Sequence, residues 1–121
     1  MKSRNTLLIA AALGLAVAAS VSVRAEVNVA QAKALFTTNK CGSCHAPDKT
    51  KKGPSLRKIA DENKGKPDAE QLLIKQMTTA PTVKLADGTE EEHKIIKTKD
   101  EAKMKNLAQW ILSHASAAKT P

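Results

Sequence analysis

Cys41-Gly42-Ser43-Cys44-His45 brings together both cysteines of this 121-residue chain and one of its three histidines. Four chemistries use such a cluster. A thioredoxin-like redox pair sits beside a βαβ pattern, and none surrounds this motif. A structural zinc ion needs a fourth strong ligand and usually a second paired cluster, and the chain has no second pair. A disulfide across two intervening residues closes a tight, strained loop and leaves His45 unexplained. Covalent haem attachment uses all three residues. Two thiols three positions apart can each add across one vinyl group of a haem, and the next residue's imidazole then lies under the ring, able to bind iron. The spacing favours a single haem c, with Cys41 and Cys44 as thioether donors and His45 as the proximal iron ligand.

The surrounding sequence must position that cluster. Asn28 can cap a helix over Val29 to Thr38, with Ala30, Ala34 and Leu35 on one face and Phe36 near its end. Cys41 to Pro54 is rich in Gly, Pro, Ser and Lys and reads as loop. Ser55 to Asp61 is a short helical piece, ended by Gly65 and Pro67. Asp68 with Gln71 has the form of a capping box before a stripe of Ala69, Leu72, Leu73 and Met77. Thr79 to Glu92 is polar, with Pro81 and an Asp87-Gly88 turn signal. Thr98 with Glu101 forms another box, before Met104, Leu107, Ala108, Ile111 and Ala115 at helical spacing, with Trp110 beside them. No segment alternates like a strand. The fold class is all-α, with about four short helices and long loops of the kind that wrap a bound group.

Composition bounds the rest. The length suits one domain and is too short for a barrel or a doubly wound sheet. Aromatics make up 2% of the chain, with one Trp, one Phe and no Tyr. Such residues normally dominate small cores. A covalently held haem would supply the missing apolar bulk. Lys2 and Arg4 precede an apolar run, Leu7 to Val21, that is shorter than the roughly 20 residues a spanning helix needs. Val23-Arg24-Ala25 then has the small-residue pattern of a cleavage site. The expectation is a signal peptide over 1–25, cleaved after Ala25, and a mature domain over 26–121 in the periplasm. An uncleaved N-terminal anchor is the alternative. Cleavage removes three cations and no anion, so the formal charge of +8 becomes +5.

With these residues in view, the chain resembles the small class I c-type cytochromes of bacteria over nearly all of its mature length. The resemblance is carried by Ala34-Leu35-Phe36, by Cys41-Gly42-Ser43-Cys44-His45, and by Gly53-Pro54-Ser55-Leu56. It continues in Asp100-Glu101-Ala102 and in Leu107-Ala108-Gln109-Trp110-Ile111-Leu112. It implies a class I cytochrome c fold, with Phe36 and Trp110 meeting where the first and last helices cross. It also implies that the Pro54 carbonyl accepts a hydrogen bond from the second ring nitrogen of His45, a device that fixes a ligand's tautomer.

The distal ligand departs from that family. Its usual Met, in a loop before the last helix, is missing. His93 stands in its place, 17 residues before Trp110 and seven before Asp100. Ile95 and Ile96 follow and could cover a haem edge. Met77 and Met104 fall on helical stripes, where Met is ordinarily packing, and His114 lies near a helix end. These three, or an open site, are the alternatives to His93. With His45 and His93 both bound, the expectation is a low-potential, six-coordinate haem, because a thioether raises the potential relative to imidazole pairs. Glu90, Glu91 or Glu92 could reach the free ring nitrogen of His93 and strengthen ligation.

Lys49, Lys51 and Lys52 follow the motif, and Lys94, Lys97, Lys99, Lys103 and Lys105 surround the start of the last helix. Any one such cluster is ordinarily a solvated face, but both flank the expected haem edge. The expected partner is an acidic redox protein or a membrane electron-transfer complex, with anionic lipid contact at most peripheral. Nucleic acid is excluded by export and by the lack of aromatic platforms. No nucleophile, acid–base pair or substrate pocket accompanies the motif, so no catalysis and no small-molecule substrate are expected. The leading reading is a periplasmic monohaem electron carrier. The alternatives are a haem subunit of an oxidoreductase complex and a gas-binding or gas-sensing haem protein.

Overall fold

A computed structural model of the chain describes residues 14–18 and 26–117. The charged start of the leader and Val23-Arg24-Ala25 lie outside these residues. The elements run α1 (Val29–Thr38), a 3-10 turn (Cys41–Ser43), α2 (Leu56–Asn63), α3 (Ala69–Thr78), β1 (Thr82–Lys84), β2 (Glu90–Glu92) and α4 (Glu101–Leu112). The expected four helices are present. No helix among the described residues is long and apolar enough to cross a membrane.

Of the three expected caps, Asn28 forms and Asp68 and Thr98 do not, while Ser55 caps α2 without having been expected to. Asn28 accepts from the Gln31 N–H at 2.9 Å, and the buried Ser55 hydroxyl accepts from the Lys58 N–H at 3.0 Å. Asp68 takes the N-cap position of α3 without a side-chain cap bond. Its backbone, φ −104° and ψ 15°, is not the extended conformation that points a side-chain oxygen at the third helical N–H. At α4 the cap is Asp100, which accepts from Lys103 N–H at 3.2 Å. Thr98 instead accepts from the N–H of Asp100 at 3.1 Å, holding the cap residue in place.

The two strands correct the expectation that no segment forms a strand. They pair antiparallel, Thr82 opposite Glu92 and Lys84 opposite Glu90. Asp87-Gly88 makes the turn, with Gly88 at φ 88° and the Asp87 carboxylate accepting from Thr89 N–H at 2.9 Å and from its hydroxyl at 2.6 Å. Of the six strand residues only Val83 is half-buried. An exposed ribbon leaves no alternating apolar signal to read.

α4 packs against α1, α2 and α3. Leu107 and Ala108 are fully buried, joined by Ala32, Leu56, Leu73, Met77, Ile96, Met104, Trp110 and Ile111. Phe36 and Trp110 meet edge-on at the α1–α4 crossing, ring centres 5.5 Å apart. Asn28 and Asn106 exchange two hydrogen bonds there, at 2.8 and 2.9 Å. Some stripe assignments shift by a position. On α1 the inward residue is Ala32, while Ala30 and Ala34 are exposed; alanines carry too little area to mark a face. Leu72 is 40% exposed and borders a cleft. Ala115 lies past the end of α4.

Candidate functional site

Lys40, in the left-handed region at φ 56°, ends α1 and turns the chain into the cysteine segment. There the N–H groups of Cys44 and His45 both reach the Cys41 carbonyl, at 3.1 and 3.0 Å. The chain then doubles back: Gly53 N–H donates to Cys44 O at 2.9 Å, and the Lys51 ammonium donates to Gly42 O. This return places the Pro54 carbonyl 2.7 Å from His45 Nδ1, so Nδ1–H donates to it and Nε2 is the nitrogen left for another partner. Gly53 is buried for a steric reason. A Cβ there would stand 2.8 Å from His45 Cε1 and 3.2 Å from Nδ1.

Cys41, Cys44 and His45 line one wall of an open cleft of about 710 Å³, whose other walls include Leu73, Met77, Leu107 and Ile111. His93 and Ile96 face the motif from the loop after β2. The ring centres of His45 and His93 lie 6.2 Å apart, their planes tilted by 41°. The His93 main-chain N–H donates to Pro81 O at 2.9 Å, continuing the hairpin ladder. Its Nδ1–H donates to the Lys94 carbonyl, also at 2.9 Å. That partner replaces the expected carboxylate of Glu90, Glu91 or Glu92, which form the exposed strand β2. A main-chain carbonyl leaves no side-chain signature, so this contact was not readable from sequence.

The cysteines are both free and half-buried. Burial pushes the Cys41 thiol up, with its own backbone and Lys94 opposing and Cys44 adding to the rise. Burial likewise lowers the His45 pKa, against the pull of the Pro54 carbonyl and with help from His93. A neutral imidazole keeps a lone pair on Nε2, as a metal ligand must.

The other candidates separate. Met104 is buried in the core away from the cleft wall. His114 also stands off the wall, its ring edge-on to Trp110 at 4.7 Å and its Nδ1 2.9 Å from Trp110 O. Met77 borders the cleft but packs within the core at 9% exposure. Ile96 is buried, pinned by its N–H to Met77 O at 2.8 Å, whereas Ile95 is 56% exposed.

One lysine of the first cluster and two of the second stand near the cysteine segment. Lys94 is near enough to act on the Cys41 thiol, Lys51 reaches Gly42, and Lys97 N–H is held by Asn39 Oδ1 at 2.9 Å. Among the described residues the ion pairs are Arg57–Asp48 and Lys58–Glu62, both made by α2 residues. Among the described residues, Lys51, Lys94 and Lys97 therefore make no ion pair with a carboxylate.

A helical shell around an open cleft, with two thiols and two facing imidazoles, is the architecture of a small haem-binding electron-transfer protein. The cytochrome c family model matches residues 29–115, and the chain belongs to that family. Class 1 cytochrome MtoD from Sideroxydans lithotrophicus ES-1 is 47% identical over 74% of this chain and 98% of its own, with a TM-score of 0.70. Wild-type cytochrome c552 of Nitrosomonas europaea is 27% identical over 68% of this chain and 98% of its own, with a TM-score of 0.54. A search of curated proteins finds no match. The fold is that of a class I monohaem cytochrome c. Its cofactor is covalently bound haem c, its activity electron transfer, and its partners redox proteins.

Proposed function

We propose that the chain is a periplasmic, low-potential electron carrier whose single haem iron is held by His45 and His93. Cys41 and Cys44 make the thioether bonds, and the Pro54 carbonyl fixes the tautomer of His45. Bound haem c supplies a one-electron ferric–ferrous couple. The protein's own residues hold it, shield it and present its edge. The observation that carries the reading is the separation of the imidazoles. A histidine nitrogen binds a metal at about 2 Å and its ring centre lies about 1 Å behind, so two rings sharing one ion stand roughly 6 Å apart. The 6.2 Å between His45 and His93 meets that requirement. Both rings also spend Nδ1 on carbonyls, at 2.7 and 2.9 Å, which keeps Nε2 for iron.

Imidazole in place of thioether lowers the potential. The Lys94 carbonyl, uncharged, lowers it less than a carboxylate partner would. The signal peptide over 1–25 directs the chain to the periplasm, where it acts as a carrier with no catalysis of its own. The unpaired lysines beside Cys41 suit an acidic redox protein or membrane complex, met transiently.

His93→Ala tests the assignment. The variant retains covalent haem and loses its six-coordinate low-spin spectrum. An unchanged spectrum would contradict the role of His93.

A further inference from the structure

His93 is the last rung of the β1–β2 ribbon, because its N–H is bonded to Pro81 O as Thr82 pairs with Glu92. The imidazole therefore moves with the ribbon. At the N-terminal foot Ala80 is in the left-handed region at φ 48°, a conformation that costs a residue with a Cβ and so marks a bend held by its surroundings. The far end of the ribbon is also tied. Ala86 N–H donates to Lys52 O at 2.9 Å, the hairpin's one main-chain bond to the cysteine loop among the described residues. Asp87, held below the usual carboxylate range mainly by the Thr89 hydroxyl and N–H, is drawn further down by the nearby Lys52. Lys52 lies two residues before Pro54, whose carbonyl orients His45. One loop thus anchors both imidazoles, one directly and one across the ribbon.

We propose that the hairpin is a strap whose tip, seated on Lys52, holds His93 in the cleft, making Lys52, Ala86 and Asp87 positioning residues for the distal imidazole. The proposal rests on His93 as the distal iron ligand. Lifting the tip frees the ribbon to swing about Ala80 and withdraw His93, exposing a coordination position.

Cyanide reads this motion. Mixed in excess with the oxidised full-length holoprotein, it binds at a limiting rate set by how often His93 leaves. Ala86→Pro removes the N–H of the tip bond and raises that rate about tenfold. Lys52→Glu raises it about threefold, and Lys52→Arg, which keeps a positive charge near Asp87 and leaves the Asp87–Thr89 bonds intact, stays within about twofold of the parent. Equal rates in the parent and every variant, including undetectable binding throughout, would overturn the strap. If Ala86→Pro fails to fold, the contrast between Lys52→Glu and Lys52→Arg decides. His93→Ala separates the two claims: it binds cyanide without the slow limit. The parent's limiting rate in His93→Ala would instead mean that His93 is not the ligand.

Discussion

The two facing imidazoles share one arrangement on unrelated segments: each gives Nδ1–H to a main-chain carbonyl close in sequence, Pro54 for His45 and Lys94 for His93. A carbonyl orients the ring without adding charge and leaves the Nε2 of each ring for another partner. For His45 this geometry depends on Gly53, where even a methyl group would stand 2.8 Å from Cε1. Gly53→Ala therefore either displaces the imidazole or shifts the loop bonded through Gly53 N–H to Cys44 O. Overpacking of this kind costs about 1–3 kcal/mol. The expected result is a lower midpoint in chemical denaturation of the holoprotein, with a perturbed Soret band.

At the scale of elements, the chain after α4 is tied back onto α2. Ser116 donates to Asp61 through its N–H at 2.7 Å and its hydroxyl at 2.8 Å, and the Lys64 ammonium donates to Ser116 O at 3.1 Å. The two Ser116 bonds are what chiefly hold Asp61 below the ordinary carboxylate value of 3.8, with smaller help from Lys64 and Arg57. A carboxylate with a lowered folded-state pKa stabilises the fold above its unfolded value, and that stability is lost as pH falls through the folded value. Thermal melts in the acid range should show a decline that Asp61→Asn flattens, by a modest amount because the carboxylate is exposed. The elements themselves were unequally legible. The four helices announced themselves through stripes such as Leu107, Ala108 and Ile111, which are buried as their spacing demands. The hairpin did not, because its strands are exposed ribbon. His93 was singled out by its position relative to Trp110, and the Lys94 contact to its ring was not, because only the backbone of Lys94 is used. The motif is defined by residue type alone: the Asp68 box misled because a cap also needs an extended backbone, and the Thr98 box because α4 begins later, with Asp100 as its cap.

For the whole molecule, the scarcity of aromatics has a physical answer. One Phe and one Trp are spent on each other at the α1–α4 crossing, and the helices leave a cleft that haem c occupies in this family. Lys51, Lys94 and Lys97, from two distant stretches of the chain, stand beside the cysteine segment that borders that cleft. Lys97→Glu with Lys99→Glu should slow electron transfer to an acidic redox protein about tenfold at low salt, in stopped-flow mixing. The difference should fade as ionic strength approaches about 1 M, where exposed charges are screened within a few ångströms. Both effects follow only if the edge beside Cys41 is the docking face. The central claim is that iron is held between His45 and His93, and the near-infrared spectrum of the oxidised protein tests it most directly. The account predicts a low-spin ferric haem with the bands of two imidazole ligands and no methionine sulfur-to-iron charge-transfer band. A clear sulfur-to-iron band would contradict it and move the distal ligand to a methionine, with Met77 at the cleft wall the first to be replaced.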